Sequence, residues 1–226
     1  MMSTPTLLLA AHGTRSLAGA SALRELLESV RAGRTGIDAR LCFVDVLEPK
    51  LATAAAAVRG PLVVVPVLLS AGYHVRTDIP AVLSGRPDTV ITQQLGPDPV
   101  LVDVLISRLR AASALPADVV VLAAAPSSDP TTRADVDAAA HDLANRLQTP
   151  VDVAIVGAGL APYLADLAGR GRLAVAPYLL AGGHFVDAVR RAAPAGVPVA
   201  EPLAPDARIA KLILRRYDDA LRFAAR

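Results

Sequence analysis

The sequence predicts an α/β protein made of two tandem, similar domains, each a parallel four-stranded sheet with helices on both faces. Short apolar runs alternate with segments of helical periodicity, which is typical of parallel sheets joined by right-handed crossovers. Hydrophobic residues make up 53% of the chain and aromatic residues only 3%, so Ala, Val and Leu must fill the core. In addition, two stretches of sequence recur in the same order along the chain.

The first half contains four apolar runs that we predict to be buried strands, at residues 6–11, 40–46, 62–68 and 89–93. After the first run, Leu23, Leu26, Leu27 and Val30 follow the spacing of one helix face. A second helix is expected to open at Glu48-Pro49 and to run through residue 58, because proline is favoured at a first helical position. A third is expected to start at Asp98-Pro99.

The second half repeats this order of elements after an expected linker at residues 113–117. We predict strands at residues 119–124, 151–156, 173–179 and 197–200. We predict helices at residues 134–147, 162–168 and 209–221. The domains are therefore expected at 1–113 and 114–226.

Two pairs of matching segments carry the evidence for a repeat. VVVPVLLSAGYH at residues 63–74 matches LAVAPYLLAGGH at residues 173–184. LGPDPVLVDVLISRL at residues 95–109 matches LAPDARIAKLILRRY at residues 203–217. Two matches in the same order favour duplication over chance.

Charge and composition exclude several classes of protein. The net charge of +2 is small and the basic residues are scattered, so nucleic-acid binding has little support. The single cysteine excludes an internal disulfide framework and a Cys-rich zinc site. No apolar run is long enough for a membrane span, and the N-terminus lacks the pattern of an export signal. We expect a cytoplasmic protein that binds neither nucleic acid nor membrane, most simply a monomer with pseudo-twofold halves.

Three candidate ligands follow predicted strands of the first half. In open parallel sheets, ligands bind at the carboxyl ends of the strands. His12 follows the first strand, Asp45 ends the second, and His74 lies in the predicted loop after the third. Two imidazoles and a carboxylate suit Co²⁺, Ni²⁺, Fe²⁺ or Zn²⁺, and imidazole also accepts protons near neutral pH. His141 lies on a predicted helix, where we expect it to face solvent without a role.

Three motifs of the first half carry a family resemblance: AAHGTR at residues 10–15, FVDVLEPKL at 43–51 and VPVLLSAGYHVRTDIP at 65–80. With them, the chain resembles the class II chelatases of the sirohydrochlorin and cobalt chelatase type. The resemblance covers most of residues 5–110. It continues more weakly through the second half, as in a double-length member of the family.

The resemblance implies a metal-inserting lyase that places cobalt or iron, with nickel as a further possibility, into a sirohydrochlorin-type tetrapyrrole. The pathway would be cobalamin or siroheme biosynthesis, and no organic cofactor is expected. His12 and His74 match the two functional histidines of the family. Asp45 stands where the family commonly has Glu, with Glu48 as the nearby alternative carboxylate.

Five further residues are candidates for contact with the tetrapyrrole. Arg15 and Arg76 could bind the carboxylates of the substrate, or be solvated loop charges. Ser70 and Gly72 are small enough to let a flat ring approach the backbone, or are ordinary loop residues. Tyr73 could stack on the macrocycle or pack against the other domain.

The second half lacks most of these residues. Ala125-Pro126-Ser127 stands opposite His12-Gly13-Thr14, and Ala158 stands opposite Asp45. His184 alone survives, opposite His74, so we interpret this half as a degenerate copy from which His184 or Glu201 could reach the substrate. Three rival functions stay open: a metal or tetrapyrrole carrier, a bilobal receptor of the periplasmic kind, and a cleft for an anionic metabolite.

Overall fold

The computed structural model describes residues 4–224, which form two compact units. Met1–Leu95 and Pro205–Arg226 make up the first unit, and Gly96–Ala204 makes up the second. Within residues 4–224, no helix is both long and apolar enough to cross a lipid bilayer. The α/β fold class that the sequence predicts is confirmed.

The described residues form seven strands and eight α-helices, which alternate as far as α7 and end with α8. The strands are β1 (Thr6–Ala11), β2 (Ala39–Phe43), β3 (Leu62–Val67), β4 (Thr89–Ile91), β5 (Val119–Ala124), β6 (Val151–Ile155) and β7 (Leu173–Tyr178). The helices are α1 (Leu17–Gly33), α2 (Leu51–Ala56), α3 (Ile79–Leu83), α4 (Pro99–Ala111), α5 (Thr131–Leu147), α6 (Leu160–Ala168), α7 (His184–Ala192) and α8 (Ala207–Ala224). A π-helix, His74–Asp78, precedes α3.

The first unit contains a parallel sheet in the order β2-β1-β3-β4, as predicted for the first half. On the central strand β1, Leu7 pairs with Ala39 of β2 and with Val63 of β3. Because β1 and β3 are covered on both faces, every residue of both strands is buried. The second and fourth strands are shorter than predicted, ending at Phe43 and Ile91.

In the first unit, the buried face of α1 agrees with the prediction from the sequence, whereas the start of α2 differs from it. On α1, the predicted residues Leu23, Leu26, Leu27 and Val30 form the buried stripe. The prediction that Pro49 opens a helix is wrong, since α2 begins at Leu51 after Lys50. The Pro49 carbonyl instead accepts a hydrogen bond from the Phe43 N–H (2.9 Å), which ties this segment to the end of β2.

The second unit contains a three-stranded parallel sheet in the order β6-β5-β7, not the predicted four strands. The segment predicted as a fourth strand, residues 197–200, makes only an isolated bridge between Val199 and Val175. Pro198 interrupts this segment, and proline has no N–H to donate to a ladder. The strand prediction for residues 197–200 is therefore wrong.

The compact units are divided differently from the two sequence halves, 1–113 and 114–226. Helix α4 packs on α5 and β7 and so belongs to the second unit. Helix α8, its counterpart in the repeat, packs on α1 and β3 of the first. The chain leaves the first unit within LGPD (residues 95–98) and returns to it within LAPD (residues 203–206). The first unit therefore includes α8 as well as the residues up to Leu95.

Cys42 lies fully buried on β2, where its thiol donates a weak hydrogen bond to the Leu9 carbonyl (3.5 Å). Burial raises the pKa of the Cys42 thiol to about 12. The thiolate is the reactive form of cysteine, so the native protein should not react with Ellman's reagent at pH 8. After unfolding in guanidinium chloride, one thiol per chain should react. Rapid stoichiometric reaction of the native protein would contradict this prediction.

Candidate metal centre

The candidate ligands lie at the carboxyl ends of three adjacent strands of the first unit. The strands β2, β1 and β3 are neighbours and run parallel, so their last residues, Phe43, Ala11 and Val67, fall at one edge of the sheet. The segments that carry His12, Asp45 and His74 leave the sheet at this edge. The structure therefore brings together the three segments that the sequence singled out.

The imidazole rings of His12 and His74 stand side by side. Their centroids are 4.9 Å apart, and the ring planes make an angle of 76°. A metal ion at the usual 2.0–2.1 Å from an imidazole nitrogen lies roughly 3 Å from the ring centroid. Two rings at this separation can therefore share one ion. His12 is exposed and His74 is half-buried, so the pair is open to solvent on one side.

Hydrogen bonds indicate which ring nitrogen of each histidine is available. Nδ1 of His74 lies 2.6 Å from Oδ2 of Asp78, and Nδ1 of His12 lies 3.3 Å from the Gly13 carbonyl oxygen. Because a carbonyl and an ionised carboxylate only accept, both geometries place the proton on Nδ1. The Nε2 lone pairs are then left for a metal ion or a proton.

Asp78 is a functional candidate that was not predicted from the sequence. It follows His74 by four residues in the motif HVRTD, and this spacing was the signal that could have identified it. His74 does not lie in a loop, as predicted, but begins the π-helix, which the Ile79 N–H closes by donating to the His74 carbonyl. Single π-turns are frequent at functional sites.

Gly13 lies where the segment that carries His12 packs closely against the segment that carries Asp45. The Asp45 N–H donates to the His12 carbonyl (3.2 Å), so the two segments run side by side beyond the sheet. Gly13 has φ +96°, and a Cβ at this position would lie 2.6 Å from the Asp45 carbonyl oxygen. Only glycine fits both the backbone conformation and the close approach.

The carboxylate of Asp45 is exposed and interacts electrostatically with both histidines of the pair. Its Oδ1 accepts a hydrogen bond from the Val46 N–H (2.7 Å) and lies 4.0 Å from the Lys50 Nζ. The hydrogen bond from Val46 holds the pKa of Asp45 below its usual range, and electrostatic interactions with His12, Lys50 and His74 lower it further. Asp45 is therefore ionised at neutral pH and places a negative charge near the histidine pair.

The backbone beside Asp45 is unusual. Val46 has φ +62°, a left-handed conformation that a β-branched residue rarely adopts.

Within residues 4–224, no three His, Cys, Asp or Glu side chains are grouped closely enough to hold a metal ion. The structure thus assembles the histidine pair, with Asp45 nearby and not in a closed set.

Glu48, the alternative carboxylate, is occupied locally. Its Oε2 accepts a hydrogen bond from the Lys50 N–H (2.7 Å), at the turn that leads into α2. Both carboxylates accept a backbone hydrogen bond within their own turns, and Asp45 also interacts electrostatically with both imidazoles.

The five predicted substrate contacts lie in the same segments as the histidines. Arg15 and Arg76 are exposed, while Ser70 and Gly72 are half-buried. Tyr73 is 57% exposed, and the centroid of its ring lies 6.5 Å from that of His74. Its face is therefore accessible beside the candidate metal centre.

In the second unit, the structure shows the surroundings of His184 and Glu201, the two residues that were expected to be able to reach the substrate. His184 is exposed and begins α7, with its ring 5.4 Å from that of Phe185. Glu201 is paired with Arg190, whose Nη2 lies 2.7 Å from both carboxylate oxygens. The Glu201 carboxylate is therefore already held by a cation.

Three solved structures are similar to this chain over nearly its whole length. The sirohydrochlorin chelatase SirB from Bacillus subtilis subspecies spizizenii, in complex with cobalt, is 20% identical with a TM-score of 0.79 over 97% of this chain and 96% of that chain. SirB from Bacillus subtilis with Fe³⁺ is 20% identical with a TM-score of 0.82 over 99% of this chain and 98% of that chain. CbiX, the terminal enzyme of siroheme biosynthesis in denitrifying bacteria, is 18% identical with a TM-score of 0.71 over 95% of this chain and 99% of that chain.

At this level of identity the three structures establish the fold that the chain shares with them. No curated protein matches the sequence. The CbiX family model, however, matches residues 6–112, a stretch that contains His12, Asp45, His74 and Asp78. Over residues 6–112, just under half of its length, the chain is similar to the CbiX family.

Proposed function

We propose that this protein is a chelatase that inserts a divalent metal, Co²⁺ or Fe²⁺, into a sirohydrochlorin-type tetrapyrrole in cobalamin or siroheme biosynthesis. The observation that carries the proposal is the pairing of the His12 and His74 rings, 4.9 Å apart at the carboxyl edge of the first sheet. The family match over residues 6–112 and the cobalt and iron bound to the two SirB relatives support it.

The arrangement suits the chemistry of metal insertion. The reaction exchanges two pyrrole N–H protons for one divalent ion, so the protein must present the ion on one face of the ring. Two Nε2 atoms on an open edge can hold the ion and leave its other coordination positions for the pyrrole nitrogens. The ionised carboxylate of Asp45 offsets the charge of the ion before the macrocycle takes it.

The segments around the histidine pair offer groups for the substrate itself. Sirohydrochlorin-type macrocycles carry several carboxylates, which the exposed Arg15 and Arg76 can bind. The exposed ring of Tyr73 offers an apolar face to the macrocycle. Ser70 and Gly72 allow its close approach to the backbone. We propose these five residues as tetrapyrrole contacts.

We propose that the second half of the chain is a degenerate copy of the first. It places His184 after β7 as the first half places His74 after β3, but lacks counterparts of His12 and Asp45. We propose that residues 1–113 carry the metal centre and that 114–226 do not. We further propose that the protein acts as a cytoplasmic monomer.

An insertion assay tests the proposed function. The purified protein is mixed with sirohydrochlorin and Co²⁺ or Fe²⁺, and the absorption change of the macrocycle is followed against a control without protein. We expect His12→Ala and His74→Ala each to slow insertion on the order of 100-fold or more, because each removes half of the metal-presenting pair.

The matched control is His141→Ala, which removes an exposed histidine from α5 of the second unit and should leave the rate unchanged. Thermal melting of each variant shows whether the fold is kept. If His12→Ala and His74→Ala insert metal as fast as the parent, the assigned site is wrong. If the parent binds the ring without turnover, the protein is a carrier and the proposed activity fails.

A further inference from the structure

We infer that Asp78 is a positioning residue that holds His74 in one tautomer and one orientation, with Nε2 directed to the incoming metal ion. The inference rests on the proposed function for the identity of the metal and its acceptor. Its structural basis is the hydrogen bond between Nδ1 of His74 and Oδ2 of Asp78, 2.6 Å long.

The short hydrogen bond has a direct chemical consequence. An ionised carboxylate has no proton to donate, so the bond is made only when Nδ1 of His74 carries the hydrogen. In the other tautomer the Nδ1 lone pair would face the carboxylate oxygen and repel it. The bond therefore selects the tautomer whose Nε2 lone pair is free to bind a metal ion.

The backbone holds Asp78 in place. Asp78 ends the π-helix that His74 begins, and the next residue, Ile79, is fully buried in the core with Leu8 and Cys42. The side chains of His74 and Asp78 are each 33% exposed, so both are partly enclosed by the protein. An anchored carboxylate fixes the ring more firmly than a mobile surface side chain does.

The other histidine of the pair is held more weakly. Nδ1 of His12 faces only the neutral carbonyl oxygen of Gly13, at 3.3 Å. A hydrogen bond to a charged acceptor is shorter and stronger than one to a neutral acceptor. Removal of the Asp78 carboxylate should therefore disturb His74 and leave His12 unchanged.

The second unit provides an internal comparison. His184 occupies the place of His74 in the repeat, but the residue four positions later is Ala188, and the nearest following acid is Asp187, three positions along in the first turn of α7. His184 begins the ordinary α-helix α7, whereas His74 begins a π-helix. The half that lacks counterparts of His12 and Asp45 thus also lacks an acid at the position equivalent to Asp78. This is the expected pattern if Asp78 serves the site and not the fold.

The test compares Asp78→Ala and Asp78→Asn with Asp88→Ala, an exposed aspartate of the same unit, as the matched control. The first readout is the ¹⁵N chemical shifts of histidine in the metal-free protein, which report the tautomer directly. The second is the affinity for Co²⁺ alone, measured by titration. Thermal melting verifies that each variant is folded.

We expect the parent to hold His74 in the Nδ1–H form. Asp78→Ala should give a mixture of tautomers at His74, leave the His12 shifts unchanged and weaken Co²⁺ binding by about 10- to 100-fold. Asp78→Asn keeps an oxygen acceptor, so it should preserve the tautomer and weaken Co²⁺ binding only several-fold. Asp88→Ala should match the parent in both readouts.

The inference is overturned if Asp78→Ala keeps the Nδ1–H form and binds Co²⁺ as tightly as Asp88→Ala. If Asp78→Ala does not fold, Asp78→Asn decides: a several-fold loss of affinity supports the inference, and parent-like affinity overturns it. If sirohydrochlorin is never metallated but the tautomer depends on Asp78, the proposed function fails and the positioning role stands. If metal insertion requires His74 but the tautomer of His74 does not change when Asp78 is replaced, the positioning role alone fails.

Discussion

Replacing Gly13 with alanine is expected to lower the free energy of unfolding by about 2–4 kcal/mol and to weaken Co²⁺ binding. Two effects add. A side chain at φ +96° is strained, and the new Cβ would lie 2.6 Å from the Asp45 carbonyl oxygen. That oxygen belongs to the backbone and cannot move aside as a flexible side chain would, so the two segments must separate. Because Gly13 is next to His12, the separation should disturb the metal centre.

Gly36→Ala is the matched control for this prediction. Gly36 also has a positive φ, +78°, but a Cβ added there would meet no heavy atom within 4 Å. Its replacement therefore costs only the backbone strain, about 1 kcal/mol, and should leave Co²⁺ binding intact. Thermal or urea unfolding of both variants, with Co²⁺ titration, decides the matter. Equal stability losses in the two variants would show that the close approach at Gly13 contributes nothing.

A chain that ends at Ala204 is expected to lose the cooperative fold of its first unit, because it lacks α8. Four residues of this helix, Ile209, Leu212, Ile213 and Tyr217, are at most 2% exposed. Burial of one such side chain is worth about 1.5–3 kcal/mol, so the four together contribute on the order of 6–12 kcal/mol. This equals much of the total stability of a typical domain, roughly 5–15 kcal/mol.

Polar contacts add to the attachment of α8. The Tyr217 hydroxyl donates to the Pro5 carbonyl (2.6 Å), and the Arg34 guanidinium lies 5.3 Å from the centroid of the Tyr217 ring. Arg34 also pairs with Asp218. Loss of α8 would therefore release the start of β1 and the end of α1 as well as uncover the sheet.

Hydrogen exchange followed by mass spectrometry measures this result in the strands of the first unit. In the shortened chain, the amides of β1 and β3 should exchange rapidly. The control is Phe223→Ala in the full chain, which removes an 81% exposed side chain from the same helix and should change stability by less than about 0.5 kcal/mol. Slow exchange of β1 and β3 in the shortened chain would refute the role assigned to α8.

Several features of the fold could be predicted from local sequence. Continuous apolar runs identified the buried strands, since a parallel strand covered on both faces has no polar side. Two predictions failed where proline decided the outcome: Pro49 precedes α2, and Pro198 limits residues 197–200 to a bridge. In both cases a pattern of side chains was overruled by the hydrogen bonds that the backbone can make.

The sequence by itself determined that His12, Asp45 and His74 share one edge of a sheet, because the carboxyl ends of neighbouring parallel strands must meet. Only the tertiary structure decided that the two imidazoles stand 4.9 Å apart, since this depends on the register of β1 against β3. The hydrogen bond between His74 and Asp78 and the packing of α8 in the first unit were likewise evident only from the tertiary structure. The reason is physical: strand order follows from short-range periodicity, whereas ring separation, a π-turn and the placement of a distant helix depend on how the whole core packs.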